Sequence, residues 1–288
     1  MRMKHGWHTL SFAAVLLLGA LRADAAPQRI VSINLCTDEY VFRLVPRDHI
    51  AALSFLAGDR NPVVSTIADQ VGGIKRIRQT SEEVLGLHPD LVVLDAGTNA
   101  RVRQHLERAG VPLLEVPFAA TLADVRKVTV MLGEKLDARG KAAALLAQMD
   151  RDIARAKAVA PKPPVRALIY EPNGYSTGGG VTEEVMRIGG LADAAPGLKP
   201  TRLGTIPVET IVASAPELLI LAGQPNARRS RADMILHHPA LRALPHTRVE
   251  WASTNPVLCP GPWSAGEAVT FAELARKTRA LAEGAAAK

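Results

Sequence analysis

The only two cysteines, Cys36 and Cys259, have the widest choice of chemistry in the sequence. Each follows a strand-like run, Cys36 after Arg29–Asn34 and Cys259 after Arg248–Ala252. Three readings stay open: a disulfide, two thiolates on a soft metal or on the metal of a bound chelate, or two unrelated buried thiols. An oxidising compartment favours the bridge. The bridge would close a loop of more than 200 residues and needs Cα atoms within about 7 Å.

No other residue set forms a catalytic pattern. The sequence has no Gly-x-Ser-x-Gly elbow, no phosphate loop ending in Gly-Lys-Ser/Thr and no His-Glu-x-x-His helix. Gly178-Gly179-Gly180 precedes Thr182-Glu183-Glu184, and two glutamates in a first helical turn oppose a bound phosphate. His237-His238 is the one adjacent histidine pair in the sequence, but neighbouring side chains point apart and make a poor zinc site. Neither catalytic residues nor a metal site is therefore expected.

Open parallel sheets bind ligands at the carboxyl ends of their strands, which selects a different set. In the first half of the chain these are Asn34, Cys36, Asp59, Asp95 and Thr98. In the second half they are Tyr170, Asn173, Tyr175, Arg202, Gln224, Cys259 and Trp263.

The elements that would position them alternate along the chain. Strand-like runs at Arg29–Asn34, Ile50–Ser54, Leu91–Asp95 and Leu113–Pro117 are separated by helical patterns at Thr37–Leu44, Ser81–Leu87 and Asn99–Arg108. After the Pro161-Lys162-Pro163-Pro164 break, strands at Val165–Tyr170, Leu218–Ala222 and Arg248–Ala252 alternate with helices at Thr182–Ile188, Val208–Ala213 and Ser264–Leu281. Between the halves, Leu122 to Val159 carries apolar residues at helical spacing with no proline, bent at most near Gly133 or Gly140. Some 35 residues of helix would reach on the order of 50 Å. The expectation is an α/β fold: two parallel-sheet α/β lobes connected by a single long helix, with the ligand cleft between the lobes. The boundaries are 26–120 for the N-terminal lobe, 121–160 for the interlobe helix and 161–288 for the C-terminal lobe.

Residues 1–25 read as a secretory signal, with Arg2 and Lys4, an apolar run from Leu10 to Leu21, and Ala23-Asp24-Ala25 before the cut. An apolar run of about a dozen residues is short for a span, which needs roughly 20. Arg2, Lys4 and Arg22 leave with Asp24, so the formal charge falls from +7 to +5. The remaining chain is expected to be soluble in the periplasm. The clusters Lys75-Arg76-Ile77-Arg78 and Arg228-Arg229-Ser230-Arg231 lack interleaved aromatics, so a solvated surface is expected and nucleic acid is not.

Several segments stand in a distinctive order and spacing: Arg29-Ile30-Val31-Ser32, Thr37-Asp38-Glu39-Tyr40, Val71-Gly72-Gly73 and Glu82 to Leu94 with His88-Pro89-Asp90. The second half adds Glu184 to Gly190, Glu209 to Leu221 around Ala215-Pro216-Glu217, and Pro260-Gly261-Pro262. Together they resemble the periplasmic substrate-binding proteins of ABC importers for cobalamin, siderophores and haem. The resemblance implies a binding protein without catalytic activity or a cofactor of its own. Its partners would be a small-molecule metal chelate and the permease with its ATPase in the inner membrane, and it would act as a monomer. A corrinoid stands slightly ahead of a siderophore or haem. A periplasmic enzyme or metal-handling chaperone on the same fold is the alternative.

In that family an acidic residue on each lobe docks onto arginines of the permease. The match places these at Glu82, ahead of Pro89-Asp90, and at Glu209, seven residues before Pro216. A capping box of Thr80 and Glu83 would leave Glu82 pointing outward. The competing reading is that both are ordinary carboxylates near helix starts. Relatives that take bare zinc or manganese need several converging His and carboxylate ligands, which this sequence does not show. A chelated metal instead needs flat contact area, for which Tyr170, Tyr175 and Trp263 would serve unless they fill lobe cores.

Overall fold

The computed structural model describes residues 26–201, 203–225 and 230–286. The expected signal segment 1–25, the cleft candidate Arg202 and the arginines Arg228 and Arg229 lie outside the described residues. Among the described residues no helix is long and apolar enough to cross a membrane.

Two parallel sheets organise the chain. The first contains β1 (Ile30–Ser32), β2 (Ile50–Ser54), β3 (Arg76–Ile77), β4 (Leu91–Asp95) and β5 (Leu113–Val116), in the order β3-β2-β1-β4-β5. Helices α1 (Leu35–Leu44), α2 (Ser81–Leu85) and α3 (Ala100–Arg108) connect them. After α4 (Leu122–Lys135) and α5 (Arg139–Val159), the second sheet runs through β6 (Val165–Tyr170), β7 (Leu191–Asp193), β8 (Leu218–Ala222) and β9 (Arg248–Ala252), ordered β7-β6-β8-β9. Its helices are α6 (Gly180–Ile188), α7 (Val208–Ser214), α8 (Pro239–Arg242), α9 (Asn255–Leu258) and α10 (Ser264–Ala286). Every pairing within both sheets is parallel. The central strands read as unbroken apolar runs because helices cover both faces: all five residues of β8 are buried.

The lobes repeat one local device. His88 and Ala215 take the left-handed conformation (φ 47° and 41°), each followed by Pro and an acid that immediately precedes a strand, β4 or β8. Asp90 accepts from the backbone N–H groups of Gln28 and Arg29 at 2.7 and 3.0 Å, tying β4 to β1. Glu217 accepts from Arg166 N–H at 2.9 Å, tying β8 to β6 in the same way.

The interlobe segment differs from the expected near-continuous helix. Leu136 closes α4, Asp137 turns left-handed (φ 51°), and α5 starts at Arg139 and runs back along α4. Arg126 pairs with Asp150 across the two helices, and a Cβ built on Gly133 would lie 2.6 Å from that of Ala142. Small residues at that crossing let the helices close into a hairpin, so the single long connecting helix is α5 alone. Its 21 residues span about 30 Å at 1.5 Å each, not 50. α5 packs on α10, and Met149 and Ala156 are buried in the core that joins both lobes.

Candidate functional site

The lobes meet along a seam formed by the carboxyl ends of the strands, and three cavities lie on it. One of about 260 Å³ is bordered by Cys36, Asp95 and Phe118 from the first lobe and Leu258 and Pro260 from the second. Next to it, about 240 Å³ opens between Val63, Glu171, Thr254 and Leu258. A third, about 270 Å³, is faced by Arg60 and Asn61 and by Gln224, Asp233, His237 and Trp251.

Cys36 and Cys259 form a disulfide across the seam, with Cα atoms 4.8 Å apart. Of the three readings open in the sequence, the two with free thiols are thereby replaced. Polar contacts reinforce the bridge: Tyr40 Oη donates to the Pro260 carbonyl at 3.3 Å, Asn255 Nδ2 to that of Ser65 at 2.8 Å, and Ser253 Oγ to that of Pro62. In addition, Glu184 of α6 accepts from the Leu122 N–H that opens α4, at 3.0 Å.

Three of the sequence-predicted residues form one unit. Asn34 precedes α1, and its Oδ1 accepts from Asp95 N–H at 3.2 Å and from Thr98 Oγ1 at 3.0 Å. Asp95 ends β4 and enters the first cavity, with its Oδ1 buried and unpartnered. Asp59 is half-buried and accepts from Asn61 N–H at 2.9 Å, shaping the turn that carries Arg60 and Asn61 to the third cavity. Gln224 borders that cavity from just past β8. Asn173 sits left-handed in an exposed turn, and Tyr175 beside it is 45 % exposed.

Two expected stacking surfaces need correction. Tyr170 is fully buried and donates to the Ile206 carbonyl at 2.8 Å, because the last residue of β6 points into the lobe core. Burial pushes its hydroxyl up to about 12. Trp263 packs edge-on against Tyr40 at 4.8 Å, under the Arg43 guanidinium at 4.2 Å, and donates to the Cys259 carbonyl at 3.1 Å. Its ring occupies the space a side chain at Gly261 would need, so it supports the bridge loop.

The exposed contact area comes from residues the sequence reading passed over. Phe118, two residues beyond β5, is 79 % exposed; Phe55, immediately beyond β2, is 56 % and Leu258 52 % exposed. The same strand-end rule that selected Asp95 would have found both phenylalanines. Trp251 and His237 meet at 5.0 Å beside the third cavity, whereas His238 turns away and accepts from Ala240 N–H to cap α8. At Gly178 the neighbouring carboxylate is Asp193, whose proton affinity is raised chiefly by burial and also by Glu183.

Glu82 and Glu209 are both exposed at the second position of α2 and α7. Thr80 accepts from Glu83 N–H as expected, but the Glu83 carboxylate takes the Arg78 N–H and not that of Thr80, so the box is only half formed.

The profile of the periplasmic binding protein family matches residues 44–249. The chain belongs to the periplasmic binding protein family. Among its relatives a cobalamin-binding protein of Halobacterium salinarum is 30 % identical over 165 residues, 57 % of this chain. The match spans 43 % of that relative's length. A periplasmic haem-binding protein of Roseiflexus sp. RS-1 superposes with a TM-score of 0.68 at 19 % identity, covering 87 % of this chain and 98 % of that one. The periplasmic vitamin B12-binding protein of Vibrio cholerae gives 0.63 at 17 % identity, covering 88 % and 99 %. This periplasmic binding protein shares with them the two-lobed α/β fold, and members of its family bind ligands rather than catalyse reactions.

Proposed function

We propose that this periplasmic binding protein captures a metal chelate between its lobes and delivers it to an inner-membrane permease driven by its ATPase. A corrinoid is the first choice, ahead of a siderophore or haem. The observation that carries the reading is Phe118, left 79 % exposed at the rim of an apolar cavity on the seam. A large ring exposed at a strand end supplies flat contact area for an extended ligand. Leu258, 52 % exposed, extends that apolar border from the second lobe. The cobalamin-binding relative supports the choice of a corrinoid.

The processed chain works as a soluble periplasmic monomer. Glu82 and Glu209 dock onto permease arginines; being exposed, such pairs act mainly in registration.

The test is to incubate purified protein with a cell extract and identify the retained small molecule by mass spectrometry and absorbance. A metal-bearing macrocycle or siderophore is expected. Retention of a bare metal ion, or chemical conversion of an added chelate, would overturn the proposal.

A further inference from the structure

We infer that Asp95 determines ligand specificity: it marks a subsite for a carboxamide, or another N–H donor, on the rim of the chelate and turns away a rim carboxylate. The inference rests on the chelate-binding reading above and concerns which chelates the cleft accepts.

The cavity beside the disulfide is walled mainly by apolar groups, among them Val116, Pro117, Phe118, Val128 and Leu258. Among the described residues, these walls hold one carboxylate, Asp95, whose Oδ1 is buried with no hydrogen-bond partner among them. A carboxylate can only accept, and buried acceptors are almost always paired. A donor that arrives with the ligand would complete this acceptor.

The loop is held so that this acceptor stays available. Asn34 takes the Asp95 N–H at 3.2 Å, and the Asp95 carbonyl accepts from Thr98 N–H at 3.1 Å and from Arg103 Nη2 at 3.2 Å. Thr98 Oγ1 is fixed by Asn34 in turn at 3.0 Å. The first three of these bonds engage the backbone of Asp95, and none of the four engages its carboxylate. Arg103 directs its other guanidinium nitrogen to Glu115 at 2.6 Å. A Cβ on Gly97 would come within 3.3 Å of Asp95 Oδ1, so a side chain there would crowd the carboxylate. Asn34 and Thr98 are thus positioning residues for a preorganised acceptor.

The chemistry separates ligand classes. An amide N–H completes the acceptor, whereas a carboxylate brings a second negative charge and no donor. Sites built to hydrogen-bond a particular group discriminate strongly against analogues that lack it. Corrinoids with amide side chains fit this subsite, and a porphyrin with propionates at that rim does not.

The test titrates the disulfide-bonded protein and its D95N and D95A variants with cyanocobalamin, with its monocarboxylic hydrolysis products and with haemin. Wild type should prefer cyanocobalamin over at least one monocarboxylate by about tenfold or more, as expected for a hydrogen bond to a charged acceptor. D95A should lose about tenfold in cyanocobalamin affinity. D95N keeps an acceptor, gains a donor and loses the charge, so its discrimination against the carboxylate should vanish. Thermal melts of both variants check that they fold, and the near-isosteric D95N carries the test if D95A does not. If the amide-to-carboxylate ratio is the same in wild type and D95N, or haemin binds wild type more tightly than cyanocobalamin, the Asp95 assignment is overturned and chelate binding stands. If wild type binds none of the probes, this inference falls and the choice of a corrinoid or haem with it, and the extract experiment above then decides between a siderophore and no chelate at all.

Discussion

Glu82 and Glu209 occupy equivalent places in the two lobes: each stands second in its helix and eight residues before the acid, Asp90 or Glu217, that immediately precedes β4 or β8. The hydrogen bonds of Asp90 to Gln28 and Arg29 and of Glu217 to Arg166 anchor the strand that follows each helix in the same way. Charge reversal at both glutamates is expected to abolish uptake while leaving ligand affinity in solution unchanged. Affinity falling in parallel with uptake would mean that these residues line the binding site.

The Cys36–Cys259 bond should be present in protein taken from the periplasm, leaving no free thiol on unfolding. Replacing both cysteines with serine should lower stability by about 2–5 kcal/mol, read from chemical denaturation. With the bridge, the Tyr40, Ser253 and Asn255 contacts and α5 all crossing the seam, ligand should change the interlobe angle little. Paired spin labels reporting closure by tens of degrees would contradict this.

Two buried acids set a pH dependence. Burial raises Asp38 from 3.8 to about 7, which hydrogen bonds from the Ser32 and Ser54 hydroxyls only partly offset, and burial alone raises Glu267 from 4.5 to about 7. In each case the folded state holds a proton that the unfolded chain releases. Their contribution to stability is therefore complete below the unfolded values and is lost as pH rises to about 7. Asp124 and Asp150 are shifted the other way, by Thr121 with Lys127 and by Arg126, and oppose this only in strong acid. The melting temperature should rise from about pH 8 to about pH 5. Asp38→Asn and Glu267→Gln should flatten that slope; an unchanged profile would place the titration elsewhere.

Glycines in the hairpin should respond to alanine with opposite signs. Gly133→Ala places a methyl 2.6 Å from that of Ala142, and overpacking there should cost about 1–3 kcal/mol net of the helical gain. At Gly140 an added Cβ meets nothing within 4 Å, so Gly140→Ala should stabilise by up to about 1 kcal/mol. Thermal unfolding of the two variants, compared with wild type, decides the matter.

Much of the architecture was legible because buried parallel strands are largely apolar runs: β2, β4, β6 and β8 fall where the sequence places them, as does the half-buried edge strand β9. The two short edge strands β3 and β7 were not read, since two or three residues carry too little periodicity. Periodicity likewise could not separate one helix from a hairpin, because Leu122, Val125, Val128, Leu132 and Leu136 are buried in either case. The stop depends on a left-handed Asp137, a single backbone choice with no apolar signature. In the site, Asn34, Asp95 and Thr98 follow from the rule that strand ends carry ligand contacts, and the structure makes them one hydrogen-bonded unit. The same rule misplaced Tyr170, because it locates the end of β6 but not the face to which its last side chain turns.

The bond between positions separated by 223 residues closes the stretch that holds both sheets into a covalent ring. One proteolytic cut in an exposed loop within that ring, such as the one around Leu203, releases no fragment. It produces two segments still joined by sulfur, each anchored in the same folded body. In a compartment stocked with proteases, a nicked molecule would keep its mass on a non-reducing gel and its cleft in solution, and only a second cut or a reductant would take it apart.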